Sequence, residues 1–358
     1  MSENNGNGKG PLKSALGLFS GIGLPTVIIA VFWAFTLVAG HFVGISMATL
    51  LSDTLKRAGM NGILVLAMVP AIQSGTGPNF ALPIGIVCGL LGLVCSIELN
   101  LTGMAWLLAS CALSLPLAAV VGYGYGKLMN AVKGSEMTIA TYSGFSIVAL
   151  MCLVWLMVPF RNPKMGWFIG QGLRETIQLD AVEGAQILNN FLRFTVGDVI
   201  IPTGLLLTFA FFAFLVWLFF RSKLGIAISA GGINPRFAQA AGLDIDRNRI
   251  LANVLSTILG AIGIIVYSQS YGYAQLYTAP LMMAFPAVAA VLIGGATASR
   301  AKVSHVVIGV VLFQGLLTTA LPVTNEIFVG TDLSEIMRMI IQNGIILYAL
   351  TQVKRGVQ

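Results

Sequence analysis

The sequence predicts an all-α, polytopic integral membrane protein of about ten transmembrane helices. Three observations carry that expectation. Of 358 residues, 57% are hydrophobic and only 9% are Asp, Glu, Lys or Arg. A soluble domain carries roughly 25% charged residues, so this chain has too few to cover a water-facing surface. The apolar residues fall in runs of about 20, the length that crosses a hydrocarbon core. Lys and Arg are also divided unequally between alternate connecting segments. The same composition excludes other classes. Disorder needs low hydrophobicity and high charge. Collagen needs a three-residue glycine period, which the 41 glycines lack. A net charge of +7 suits a nucleic-acid binder, but the basic residues are scattered among apolar runs.

Residues 1–18 are polar and glycine-rich and hold Lys9 and Lys13. The apolar run that follows is too long for a signal-peptide core and carries no cleavage signal. The tail is therefore expected in the cytoplasm, with Ile22–Gly40 as the first span. Next come Gly59–Gln73, which is short, then Phe80–Leu99, Met104–Tyr125 and Met137–Val158. The remaining spans are Val196–Phe220, Ile250–Ser270, Leu281–Gly295 (short again), Val306–Leu321 and Ile336–Gln352. The short spans two and eight are candidates for re-entrant or broken helices. One transmembrane domain, 19–353, precedes a second cytoplasmic tail at 354–358. With the N-terminus inside, the inner segments hold thirteen Lys and Arg against seven outside. That bias predicts an even number of spans and both termini in the cytoplasm. No charged residue is expected deep in any span.

Two connections are long. The outer one, 159–195, contains Trp167, Gln171, Arg174, Glu175, Asp180 and Glu183. Its segment Gly170–Asn190 is expected to form a short helix on the outer face. The inner one, 221–249, is the most polar cytoplasmic stretch and is rich in small residues. Asn234 reads as an N-cap, Pro235 as the first helical residue and Gly242 as the stop. A helix of about two turns is marginal in water. Either a soluble partner packs on it, or it is a plain surface turn.

Several chemistries find no support. Cys88, Cys95, Cys111 and Cys152 sit in apolar runs, as small hydrophobes do, with no CxxC pair. His41 and His305 lie at run ends with no ligand-spaced neighbours. No constellation for an intramembrane enzyme is present. The run Gly122 to Leu128 approaches a phosphate-binding loop. Its spacing is wrong, however, and Leu128 stands where magnesium needs Ser or Thr. Gly122 and Gly126 read instead as a GxxxG helix contact. The candidate path for a solute is the break from Gln73 to Pro83, with Gln73, Ser74, Thr76 and Asn79. Irregular, hydrogen-bonding backbone at membrane depth belongs in protein or beside a wet cavity. Thr138, Thr141, Tyr142 and Ser143 open span five, and Ser268, Gln269, Ser270 and Tyr271 close span seven. The plainer reading is that these groups bond neighbouring helices. A lining of amides and hydroxyls suits a neutral polar solute. An ion-coupled secondary carrier is the alternative, although no intramembrane relay residue is evident.

The stretch Ser222–Leu243 resembles the cytoplasmic coupling segment of permease subunits of bacterial ABC importers, of the ribose and branched-chain amino acid type. The residues that carry it are Gly225, then Ala230, Gly231, Gly232, Ile233 and Asn234, then Phe237 to Leu243. Downstream, Ala289 to Ala296 resembles the family's apolar span ending in Gly-Gly plus a small residue. A short basic loop and the glycine-containing Val307 to Val310 follow it. The resemblance covers residues 196 to the end, and the earlier spans by topology. After its second span the ribose-type branch carries Gly-Gly-Ile-Asp-Leu-Ser-Val-Gly. Here Ser74 to Gly85 lacks the acid and contains Pro78 and Pro83. The solute therefore stays open among a sugar, a nucleoside and related molecules.

The resemblance implies a multi-pass subunit of the bacterial inner membrane. It implies ATPase coupling through Gly232, Asn234, Pro235, Ala238, Ala240 and Gly242. ATP and magnesium would bind a separate cytoplasmic ATPase, and this chain would hold no cofactor and catalyse no bond chemistry. The implied partners are ATP-binding subunits, a second permease, identical or related, and an extracytoplasmic substrate-binding protein.

Overall fold

The computed structural model describes residues 23–158, 160, 162–166 and 173–327, together with Ile336, Met339, Ile340, Asn343, Gly344, Ile346 and Leu347. The expected tails, Ile22, Trp167, Gln171 and most of the tenth span lie outside the described residues.

The chain is built almost wholly of helices. In order they are α1 (Leu24–Phe42), α2 (Met47–Leu66), α3 (Met68–Gln73), α4 (Leu82–Glu98), α5 (Gly103–Ala131) and α6 (Glu136–Met157). An outer segment follows, with β1 (Thr176–Gln178), a 3₁₀ turn (Asp180–Val182), α7 (Ile187–Asn190), β2 (Phe194–Val196) and β3 (Val199–Ile201). Then come α8 (Thr203–Arg221), α9 (Lys223–Ile233), α10 (Pro235–Ala240), α11 (Ile245–Tyr271) and β4 (Tyr273–Gln275). Last are α12 (Thr278–Met282), α13 (Ala284–Ile293) and α14 (Val303–Ile327). Among the described residues, seven helical stretches are long and apolar enough to cross a membrane, with α2 and α3 together forming one, Met47–Gln73.

The core has two lobes. In one, α4, α5 and α11 pack against each other; in the other, α14 packs on α1, α2 and α13. Contact between α2 and α11 joins them. Glycines set the close approaches. A Cβ on Gly85 would lie 2.6 Å from the Thr257 carbonyl of α11, and one on Gly89 would strike the Ala261 carbonyl. From the other side, a Cβ on Gly126 would come within 2.9 Å of Ile250 Cα. Two small-xxx-small pairs, Gly85/Gly89 and Gly122/Gly126, thus grip α11 from α4 and α5. In a bilayer such packing replaces the hydrophobic drive that water would give. α4 is buried nearly all round, whereas most of α1, α5, α6 and α8 is not. Phe35, Val120, Leu153 and Phe211 face outward there, as lipid-facing side chains do.

Side-chain bonds sort the helix ends into two groups. At one end Lys133 pairs with Asp246, Arg249 with Glu136, and the Gln73 amide donates to the Ala301 carbonyl. At this end Arg221 also lies 3.9 Å from the Trp217 ring, an interfacial cation–π anchor. At the other end β1 pairs antiparallel with β4, and the Asn162 amide donates to the Ile97 carbonyl (2.7 Å). There the Ile200 amide donates to Ser52 Oγ (2.8 Å).

Three expectations need correction. Span two is not short: α2 begins at Met47, twelve residues before Gly59, and carries Lys56 and Arg57 within the helix. The segment 170–190 is no single helix. Its described part is a strand, a 3₁₀ turn and one helical turn, because β1 is held by β4 and Leu179 N–H bonds the Gly272 carbonyl (3.0 Å). Span six starts at Thr203, since residues 194–201 form a hairpin. Span eight, a candidate for a re-entrant or broken helix, is broken at Met283 between α12 and α13. Pro286, which has no N–H to donate, stands in the first turn after the break.

Candidate functional site

The sequence places the coupling segment and the helix break 150 residues apart; the structure brings them into backbone contact. A Cβ on Gly232 would strike the Gln73 carbonyl and lie 2.8 Å from the Gly75 nitrogen. Gly75 itself has φ +78, a conformation that glycine adopts without cost. The two glycines meet because neither carries a side chain.

The segment beyond Gly232 is built as its residues dictate. Ser222 caps α9 by accepting from Gly225 N–H (3.3 Å). Asn234 caps α10 by accepting from Phe237 N–H (3.1 Å), and Pro235 is the first helical residue. Gly242, at φ +80, ends the segment. The expected two-turn helix is shorter by about one residue, and the helix α9 before it was not anticipated. Within α10 only Ala238 is buried; Phe237 is 69% exposed and Ile233 is 53% exposed. Ala240 is exposed on the same short helix. Beside it opens a cleft of about 540 Å³ lined by Ser74, Gly75, Gly232, Pro235, Gln239 and Arg249, among others. Arg249, in its wall, pairs with Glu136 at 2.6 Å.

The break is a satisfied hydrogen-bond knot. Ser74 and Thr76 hydroxyls both donate to the Ala71 carbonyl at 2.8 Å. The Asn79 amide donates to Ser256 Oγ (2.8 Å), and Asn79 Oδ1 accepts from Ala81 N–H (3.0 Å) and the Tyr125 hydroxyl (3.2 Å). Ser256 in turn donates to the Ala67 carbonyl (2.6 Å). These groups join α2, α4, α5 and α11 around non-helical backbone. Tyr142 is 67% exposed on α6 and Ser143 half-buried, apart from the knot. Gln269 is fully buried at the opposite end. Its Oε1 accepts from Leu188 N–H (3.1 Å) and its carbonyl from Gln186 N–H (2.6 Å), so it holds the outer segment.

Sequence reasoning missed a second cavity, of about 210 Å³, toward the β1–β4 end. Its polar lining is Arg57, Asn61, Tyr267, Gln275, Thr278 and Gln314. Arg57 lies inside the continuous helical span Met47–Gln73. Arg57 thus belongs to the helix of span two rather than to the loop before it. The signal was present: Asp53, Arg57 and Asn61 recur every four residues, which is one helix face. All four cysteines are free, and no cluster of metal-ligating side chains occurs among the described residues.

Comparison with known proteins adds to this geometry. The profile of a family described as branched-chain amino acid transport system / permease component matches residues 50–350. A nucleoside ABC transporter permease protein of Lactococcus lactis is 24% identical over 225 residues, 60% of this chain. The chain spans 58% of the length of that relative. A galactofuranose transporter permease protein of Escherichia coli is 27% identical over 298 residues, 80% of this chain and 75% of the relative. No solved structure matches.

Proposed function

The chain belongs to the branched-chain amino acid transport system / permease component family, and we propose that it is the membrane-spanning subunit of an ATP-driven importer. It is a multi-pass membrane protein of the permease kind, not an enzyme. In this reading it crosses the inner membrane ten times, with both termini in the cytoplasm. A second permease chain pairs with it, two ATPase subunits supply ATP hydrolysis with their own magnesium, and an extracytoplasmic protein delivers the solute. The solute is small and hydroxylated, of the sugar or nucleoside class, as the names of the two relatives suggest.

The observation that carries the reading is α10. A one-and-a-half-turn helix is too short to be stable alone. This one is capped by Asn234, exposes Phe237, and starts three residues beyond a glycine seated on the transmembrane break. Such an element gains its stability from a partner that covers Phe237. Closure of the ATPase pair would push α10. Gly232 would pass that push to Gln73 and Gly75, and so to the knot that ties α2 to α11. The permease needs no acid–base chemistry for this, only rigid contact.

The test is a mild-detergent purification of the chain from its own membranes with mass spectrometry of what accompanies it. A P-loop ATPase in near-equal amount is expected. Recovery of the chain alone across several detergents would overturn the importer.

A further inference from the structure

Arg57 stands sixteen residues from Gln73 along the continuous helical span Met47–Gln73. At about 1.5 Å per residue that is roughly 24 Å from the end that holds the coupling segment. The span is about 40 Å long, more than a hydrocarbon core of about 30 Å, and Gly59 meets Leu205 in the first turn of α8, so Arg57 stands near the outer end of the span. A guanidinium near the end of a span faces water or a polar cavity rather than lipid. Arg57 is exposed on the chain's own surface and lines the 210 Å³ cavity. No carboxylate pairs with it among the described residues, and none lines that cavity. Asp53 and Lys56 belong to a different cleft, with Arg193. Glu175, which accepts from the Thr278 hydroxyl at 3.3 Å, belongs to a third.

The rest of the lining is uncharged and suited to hydroxyl groups. Gln314 is 7% exposed, so the amide must find its partners in the cavity or along its own helix. Tyr267 is stacked on Tyr271 with ring centroids 5.6 Å apart, which fixes an aromatic edge beside Arg57's cavity. We propose that this cavity is the outer solute site, and that Arg57 binds a carboxylate or phosphate on a hydroxylated, ring-bearing solute. The planar guanidinium fork matches either anion with two parallel hydrogen bonds. The amides of Asn61, Gln275 and Gln314 meet the solute's hydroxyls, and Tyr267 meets its ring. The assignment rests on the permease reading and names the class of solute that reading leaves open.

The test labels Arg57 in right-side-out membrane vesicles that carry the whole complex. p-Hydroxyphenylglyoxal is the arginine reagent, and mass spectrometry reads modification at Arg57. Four probes are compared: galacturonate with galactose, and uridine 5′-monophosphate with uridine. Sulfate at matched ionic strength is the bare-anion control. Arg57 is expected to react. Its labelling rate should fall about fivefold when an anionic probe is present at about four times its Kd, while the neutral counterpart leaves the rate unchanged. Protection by galacturonate assigns a carboxylate, and by the monophosphate a phosphate. Equal protection by a neutral counterpart or by sulfate, protection by no probe, or an unreactive Arg57 would each overturn the proposal. The ATPase content of the same vesicles separates the two readings. ATPase present without protection removes the site and keeps the importer; protection without any ATPase does the reverse.

Discussion

At the scale of single residues, two adjacent glycines make opposite demands. A Cβ on Gly231 would find its nearest neighbour, Ile245 Cγ1, at 4.0 Å, an ordinary contact. A Cβ on Gly232 would strike the Gln73 carbonyl. Gly231→Ala is therefore expected to leave stability within about 0.5 kcal/mol. Gly232→Ala must push α9 off the break and should cost about 1–3 kcal/mol, as overpacking does. Uptake should fall while ATP hydrolysis by the assembled complex persists. Thermal unfolding and uptake of the two variants side by side check this; equal behaviour would sink the contact as the coupling point. Asn79 makes a second residue-scale case. The sequence marks it as a candidate path residue, and in the fold both ends of its amide are engaged. Asn79→Ala strands the Tyr125 hydroxyl and Ala81 N–H without an acceptor, at about 1–3 kcal/mol each. Tyr125→Phe removes one partner only and should cost about 0.5–1.5 kcal/mol. A melting temperature for Asn79→Ala no lower than that of Tyr125→Phe would show that the knot is not structural.

Among the elements, α10 has ends that follow from local chemistry alone. Asn234, Pro235 and Gly242 each act within four residues of their own position, so sequence was enough to place them. Asn234→Ala removes the cap and should cost the helix about 1 kcal/mol, and Asn234→Ser should restore it. The ratio of ATPase to permease after purification should follow the same order. An unchanged ratio for Asn234→Ala would mean that docking does not read this helix. Other elements were not legible, for physical reasons that differ. α9 contains Gly225, Gly231 and Gly232, which count against a helix by propensity. The reason for Gly225 and Gly232 lies in the fold, at the Phe219 and Gln73 carbonyls that they approach. The start of α2 is not legible because Ser52, Asp53, Lys56 and Arg57 read as a loop, whereas in the fold they line two separate polar cavities. The outer segment was taken for a helix because β1 acquires its partner, β4, from almost one hundred residues downstream. No local pattern reports such a pairing.

For the molecule as a whole, the open question is which end faces the cytoplasm. The bonds that gather Lys133, Glu136, Asp246 and Arg249 put the coupling segment at one end. Those of Asn162, Gln269 and the β1–β4 pair define the other. The charge bias of the connecting segments orients this axis independently. Segments at the coupling end are rich in Lys and Arg, and those at the other end are rich in acids. Both lines of argument require Arg236 and Lys164 to lie on opposite sides of the bilayer. Cysteines placed at these two positions, in a background with Cys88, Cys95, Cys111 and Cys152 replaced, make the prediction measurable. A membrane-impermeant maleimide added to intact spheroplasts should label Lys164→Cys and spare Arg236→Cys until the membrane is opened. The reverse pattern would invert the axis. It would place Phe237 away from any cytoplasmic ATPase and the Arg57 cavity away from any solute arriving from outside. Labelling of both positions in intact spheroplasts would mean that the chain does not cross between them an odd number of times. α8 would then not be a span, despite nineteen residues that are almost all apolar. Because each outcome forces a different assignment of α8, this pair of positions tests the topology more sharply than either terminus would.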